Sequence, residues 1–368
     1  RLVGGSVKDG TLLYDRRGEE YRPSGLFQMQ GLQPKKITEA VAGDLVAFGK
    51  LEGIETGMTL GVGAKPSQGL FVVSRPDPVL SKGITATERK DEVRLSTALS
   101  KLVDEDPSLS VDQVQSTGET VLEGQGEMHL RVALEKLTGR FGLSVKSFEP
   151  SIPYKETIRS KTELRGRHKK QSGGHGQFGD VVLAIQPMPR GEGHSFDDTI
   201  TGGVVPKQYI PSVGDGVKEA LQKGPLGFPV VDVSVTLKDG SYHSVDSSDQ
   251  AFRMAGILAM KDGLKECKPV LLEPIDKVVV ACPSDATARV NAIVSGRRGQ
   301  ILGFDAREDW DGWDEVEAMI PESELSDLIV ELRSATAGVA TFSRDFDHLA
   351  ELSGKAADKV IESATAHA

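Results

Sequence analysis

At 368 residues the chain is too long for one hydrophobic core and predicts roughly two to four domains. Apolar and charged fractions of 38% and 27% exclude a disordered chain, and 54 acidic against 44 basic residues, a formal net charge of -10, exclude a general nucleic-acid coat protein. A local basic patch stays open, because screening confines its influence to about 8 Å. Only Cys267 and Cys282 are present, which excludes a disulfide framework or a cysteine zinc site and fits a reducing cytoplasm. No apolar run approaches the roughly 20 residues of a membrane helix.

Residues 1–75 alternate short apolar runs with turns such as Lys8-Asp9-Gly10 and Glu55-Thr56-Gly57, the spacing of an all-β barrel, with Leu45, Ala47 and Phe48 as a core strand. The chain opens on Arg1-Leu2-Val3-Gly4-Gly5 without an initiator Met, a signal pattern or a helix cap. The expectation is a truncated barrel in a piece of a longer protein. Arg75-Pro76-Asp77-Pro78 marks a linker. Over 76–149 the spacing predicts a helix at 92–104, with Val93, Leu95, Leu99 and Leu102 on one face, a hairpin strand at 115–124 and a second helix at 127–141. That order is a split βαβ sandwich.

Over 150–272 the alternation of Val181, Leu183 and Ile185, and of Val231, Val233, Val235 and Leu237, predicts two half-buried strands. Pro211 opens one helix, and Asp246 or Ser247 is expected to cap another over 248–267. The βαββαβ rhythm returns over 273–348, with a strand at 277–281 and helices at 286–295 and 322–336. Residues 349–368 predict a terminal amphipathic helix.

Two stretches stand out within the third unit. Between Arg165 and Asp180 the chain carries Arg165, Arg167, Lys169 and Lys170 and then Gln171-Ser172-Gly173-Gly174-His175-Gly176-Gln177, which reads as a cationic loop too rich in glycine for helix or regular strand. It is either a solvated charge run or a phosphate-backbone contact, and four such contacts would give a log-log salt slope of roughly -3. The literal Gly-x-Gly-x-x-Gly at 174–179 follows a basic run and precedes a strand, the wrong context for a dinucleotide site. The second stretch, Asp239-Gly240-Ser241-Tyr242-His243-Ser244-Val245-Asp246, is an exposed turn. His243 lacks metal or triad partners at useful spacing and is either a plain turn histidine or, beside Tyr242, a contact to an unpaired base. Ser295-Gly-Arg297-Arg298-Gly-Gln300 puts two arginine forks in a turn, equally a phosphate contact or a solvated loop. Gly124-Gln-Gly-Glu-Met-His-Leu130 reads as a turn into a helix. No Gly-x-x-x-x-Gly-Lys-Ser/Thr occurs, which excludes GTP binding by a P-loop within these residues.

In order along the chain, 124–130, 171–179, Gly202-Gly-Val-Val-Pro-Lys-Gln-Tyr-Ile-Pro211, Gly240-Ser-Tyr-His-Ser-Val-Asp-Ser-Ser248, Pro269-Val-Leu-Leu-Glu-Pro274 and 295–300 resemble bacterial elongation factor G without its GTPase domain. The resemblance implies a multidomain α+β protein. Its parts would be a β-barrel at 1–75, a ferredoxin-like domain at 76–149, a ribosomal-protein-S5-like domain at 150–272, a second ferredoxin-like domain at 273–348 and a C-terminal helix. It further implies a monomer working on the ribosome, with ribosomal RNA, the tRNA–messenger duplex and ribosomal proteins as partners, no membrane, and GTP with magnesium held only in the missing domain. Lys169, Lys170, Gln171, Ser172, Gly173, Gly174, His175, Gly176, Gln177, Ser241, Tyr242 and His243 would form the tip that enters the decoding site, and Arg297 and Arg298 would lie near large-subunit RNA. No residue of this chain is expected to be catalytic, and translocation is the implied task; ribosome recycling, ribosome protection or a GTPase-free RNA-binding module are the alternatives. His175 where the family usually has Arg, Ser244 where it has Asp or Glu, a shorter 224–229 loop and an Ala288–Val294 helix without the usual glycines and acids point to an elongation-factor-G-like paralogue.

Overall fold

The computed structural model describes residues 1–66, 69–70, 75–115, 117–171, 176–308 and 310–366. The chain divides into two compact units, 1–114 with 119–148, and 149–368 with 115–118. In the first, β1 (Ser6–Lys8), β2 (Leu13–Tyr14), β3 (Glu20–Tyr21), β4 (Leu26–Gln30), β5 (Gln33–Lys36), β6 (Glu39–Val41), β7 (Ala47–Phe48) and β8 (Gly61–Val62) pair into three small antiparallel sheets around Val7, Leu13, Leu26 and Ala40. Leu45, expected in that core, is exposed. The turn closed by Val41 N–H on the Asp44 carboxylate at 2.8 Å ends just before it, and pairing begins only at Ala47.

The same unit continues with β9 (Leu80–Ala86), α1 (Glu92–Glu105), β10 (Ser110–Val114), β11 (Glu119–Gly124), α2 (Glu127–Gly139) and β12 (Val145–Phe148), in the sheet order β10-β11-β9-β12. Helix α1 buries Leu95, Ala98, Leu99 and Leu102, the face its spacing predicts, while Val93 is exposed. The strand expected at 115–124 starts at Glu119, because Gly118 turns the chain at a positive φ of 72°.

The second unit opens with β13 (Lys155–Ile158), β14 (Thr162–Lys170), β15 (Gln177–Pro187), β16 (His194–Asp198), α3 (Ile210–Leu221), β17 (Val233–Ser241) and α4 (Asp249–Glu266). Strands β14-β15-β17-β16 form one sheet in which β16 and β17 run parallel and α3 makes the crossover. Val181, Leu183 and Ile185 with Val233, Val235 and Leu237 supply its buried face, against Val213 and Val217 of α3 and Phe252, Ala255 and Ala259 of α4. The cap of α4 is Ser248, whose hydroxyl accepts from Ala251 N–H at 3.3 Å. Asp246 and Ser247, the expected caps, are engaged elsewhere.

The basic stretch is regular strand. Residues 162–170 pair in full register with 177–185, Lys170 opposite Gln177 and Arg167 opposite Asp180. Its glycines answer to packing. A Cβ on Gly166 would meet Ala259 at 2.6–2.7 Å and one on Gly179 the Ala251 and Phe252 backbone at 2.6–2.9 Å, so α4 lies directly on the hairpin because these positions carry no side chain.

The rest of the unit is β18 (Pro269–Pro283), α5 (Thr287–Gly296), β19 (Gln300–Ala306), β20 (Trp313–Pro321), α6 (Leu328–Ala335), β21 (Thr341–Leu352) and α7 (Lys355–Ala366). Its order β19-β20-β18-β21 repeats the connectivity of the first βαββαβ unit. Strand β18 has 15 residues rather than the five expected, since Pro274 sits beside a register shift at Ile275/Asp276 that lets the ladder resume. The helix expected at 322–336 is a 3₁₀ turn at Glu322–Glu324 and then α6, divided at Asp327, whose carboxylate binds Arg297. Residues 349–352 belong to β21, so the terminal helix begins only at Lys355. Strand β13 joins the first four residues of β18, Lys155 opposite Leu272 and Ile158 opposite Pro269, while Glu156 bridges to Val230 on its other side.

Candidate nucleic-acid interface

The end of the β14–β15 hairpin and the turn after β17 meet through residue 246. Asp246 Oδ1 accepts from Gly176 N–H at 3.0 Å, and its carbonyl accepts from Phe178 N–H at 2.8 Å. Ser247 Oγ donates to the Phe178 carbonyl at 2.9 Å and accepts from His243 N–H at 2.9 Å. Three hydrogen bonds therefore hold the two stretches as one surface, and the fourth, from His243 N–H, closes the second turn on itself. Gly176 is required there, since a Cβ would lie 2.9 Å from the Asp246 carboxyl.

Below this junction the buried Asp180 carboxylate takes a bidentate pair from Arg165, Nε at 2.8 Å and Nη2 at 2.6 Å, and the Ser241 hydroxyl at 2.7 Å. Burial works to raise the Asp180 pKa, but the Arg165 and Ser241 hydrogen bonds outweigh it and hold the carboxyl below its ordinary range. Arg165, expected among the phosphate contacts, is thus a brace. Arg167 lies over the Phe178 ring at 5.4 Å, and that ring sits 6.3 Å from the His243 imidazole, so cation, ring and ring follow one another.

The Nδ1 edge of His243 is occupied by its own turn, 3.3 Å from Val245 N and 3.2 Å from Asp246 N. Nε2 is left as the ring nitrogen for a ligand, on a side chain 53% exposed. Tyr242, Lys169, Lys170, Gln171 and Gln177 are also exposed, and Gln177 Oε1 is bonded by His168 Nε2 at 2.9 Å. Above the Arg165–Asp180 pair, the described part of the surface presents ammonium groups, an imidazole, a phenol and an amide. That arrangement suits recognition of an anionic, base-bearing polymer. Ser172, Gly173, Gly174 and His175 lie outside the described residues. Ser241, expected as a contact, spends its hydroxyl on Asp180. Phe178, Asp180 and Asp246 knit the surface together, a role the sequence does not show; Phe178 and Asp246 lie within the motifs at 171–179 and 240–248, and the signal for Asp180 is a lone carboxylate entering an apolar strand opposite a run of cations.

Arg297 and Arg298 lie apart from this surface. Arg297 is buried, bonded through Nη1 to Asp327 and the Glu324 carbonyl, both at 2.6 Å, and through Nε to Glu331 at 3.2 Å. Arg298 sits at φ 55° and makes a bidentate pair with buried Glu273 at 2.9 and 3.0 Å, with Glu324 at 2.9 Å. Both guanidinium charges are matched inside the fold. Among the described residues no cluster of His, Cys, Asp or Glu could hold a metal, and no helix is long and apolar enough to cross a membrane.

Three family models match the chain: "Elongation Factor G, domain III" over 75–148, "Elongation factor G, domain IV" over 150–268 and "Elongation factor G C-terminus" over 270–360. An "Elongation factor G-like protein" of Synechocystis sp. is 52% identical over 356 residues, covering 96% of this chain and 53% of that protein. A crystal structure from Thermus thermophilus superposes with a TM-score of 0.82 at 38% identity, covering 98% of this chain and 54% of that one. The chain spans about half the length of these relatives.

Proposed function

The chain belongs to the elongation factor G family, and from that premise we propose that it is the ribosome-engaging body of a translational GTPase. In this reading the joined tip of Lys169, Lys170, Gln171, Gln177, Tyr242 and His243 enters the decoding site and promotes movement of tRNA and messenger. The observation that carries it is the cross-linking of the two stretches by Asp246 and Ser247, which makes one preorganised surface of residues far apart in sequence. GTP and magnesium belong, in this proposal, to sequence outside these 368 residues. The lysines approach phosphates as point charges, while Tyr242 and the Nε2 edge of His243 meet bases or sugar hydroxyls.

The test is translocation by the full-length protein. His243→Ala should slow movement while leaving ribosome affinity nearly unchanged, because one contact among many adds little to binding. An unchanged rate would return His243 to an ordinary turn residue. Efficient subunit splitting without translocation by the unaltered protein would replace this reading with a recycling factor.

A further inference from the structure

We infer that the β19–β20 hairpin is a docking site for an extended, Lys/Arg-rich segment of another protein, which adds as a strand to the free edge of β19. The inference stands apart from the tip proposed above. Between Asp305 and Glu317 the sequence holds seven acidic residues, Asp305, Glu308, Asp309, Asp311, Asp314, Glu315 and Glu317, against the single base Arg307. This short stretch carries a net formal charge of -6 in a chain whose total is -10.

Some of that charge is used within the fold. Asp314 accepts from the Ser284 and Thr287 hydroxyls at 2.7 and 2.6 Å, Glu317 pairs with Lys277 at 3.2 Å, and Glu315 pairs with Arg307 at 3.4 Å. Asp305, Glu308 and Asp311 are exposed and carry no ion pair among the described residues. The same hairpin shows solvent Leu302, Phe304 and Trp310, at 48%, 56% and 47% exposure. An acid field around uncovered apolar side chains repels RNA phosphates and a second copy of itself alike, and attracts a cationic chain that brings its own apolar groups.

The backbone is suited to the same occupant. Strand β19 lies at the margin of its sheet, paired among the described residues only with β20, so its other row of N–H and C=O groups is a template for strand addition. The side chains already display the mode of recognition. Arg307 lies 4.0 Å above the Trp310 ring while its Nε meets Glu315, a guanidinium held between indole and carboxylate as an incoming arginine would be. Trp313 braces that ring edge-on, its centroid 4.9 Å away.

The chain's two tryptophans, Trp310 and Trp313, both lie in this hairpin, so intrinsic tryptophan fluorescence of the 368-residue chain reports on it alone. The probe is a short end-blocked peptide alternating Arg or Lys with Val. A saturable fluorescence change is expected with this peptide and none with its glutamate counterpart or with oligouridylate. Asp305→Asn, Glu308→Gln and Asp311→Asn together should weaken binding about tenfold at low salt, the sum of three modest surface ion pairs. Because these side chains are exposed, an unchanged melting temperature checks the fold. A peptide with alternate amides N-methylated should lose binding, since it cannot complete the edge ladder. Equal binding to the triple variant, retained binding of the N-methylated peptide, a tryptophan response to the RNA, or self-association of the chain through this hairpin would each overturn the inference.

Discussion

Asp246 places three different atoms at the junction of the tip: its carboxylate on Gly176 N–H, its carbonyl on Phe178 N–H and its own N–H on His243 Nδ1. Asp246→Ala removes only the first of these, and loss of one part-buried, charge-assisted hydrogen bond costs about 1–2 kcal/mol. The expected result is a lowered melting temperature together with faster amide exchange at Gly176, and protection unchanged from wild type at that amide would contradict the brace. Glu156 is a second residue whose environment sets its chemistry. Its buried carboxyl accepts from Leu226 N–H at 3.0 Å and Phe228 N–H at 3.0 Å, yet burial dominates these bonds and pushes its pKa from 4.5 up to about 7. A carboxyl raised on folding stabilises the fold fully below about pH 4.5 and loses that contribution as pH climbs through about 7, by at most about 3 kcal/mol at 1.36 kcal/mol per unit. Denaturant titrations from pH 5 to 7.5 should show this decline, and Glu156→Gln should flatten it; parallel curves for the two proteins would exclude Glu156 as its source. Neither residue's role was legible in the sequence. Asp246 reads as a helix cap because an acid before a helical run has that appearance, and nothing in the sequence sets Glu156 apart, because its burial depends on the 224–228 loop closing over it from about 70 positions away.

Helices and strands were more legible where one face decides them. The apolar spacing of α1, α2, α3 and α4 and the alternation in β15 and β17 are visible in the sequence because burial on one side imposes a period. What misled was glycine. In the 165–180 stretch it suggested a mobile loop, whereas Gly166 and Gly179 sit in paired strand where α4 presses on the backbone, and the same residue type serves freedom and close approach equally well. Gly179→Ala must displace the Ala251–Phe252 backbone of α4 and should destabilise by about 1–3 kcal/mol, the usual range for overpacking. Gly139→Ala, at the end of α2 with open space around the new methyl, should instead be neutral or stabilising by up to about 1 kcal/mol. Thermal melts of the two variants check the contrast, and equal effects would contradict it. Proline is accommodated too: where the sequence predicts a strand only at 277–281, the fold spans 269–283 as β18 by placing Pro269 and Pro283 at its ends and Pro274 beside a bulge.

The net charge of the whole molecule hides an uneven distribution. Lys169 and Lys170 stand at the end of β14 without a carboxylate partner recorded among the described residues, while the β19–β20 hairpin concentrates acid. Under the proposed function, replacing both lysines with Ala should weaken ribosome binding most at low salt and reduce the log-log salt slope by roughly 2, one for each phosphate no longer neutralised. Equal weakening at every salt concentration would contradict a phosphate role. Composition leaves room for a basic patch on an acidic body without saying where the acid gathers, because sequence proximity alone does not show which carboxylates, such as Asp180 and Glu273, are spent on arginines of the same fold.

Strand β13 gives the second unit a mechanical character. It leaves the neighbourhood of the tip-bearing sheet, with Glu156 bridged to Val230 and Ile158 in that sheet's core, and zips onto the start of β18, the strand that runs on through the next sheet. The polypeptide therefore crosses this boundary twice, once as the covalent run of α4 into β18 and once as a hydrogen-bonded splint. Under the proposed function, a load applied at His243 would cross this boundary along both routes, the covalent run and the strand paired beside it, and not along a single tether.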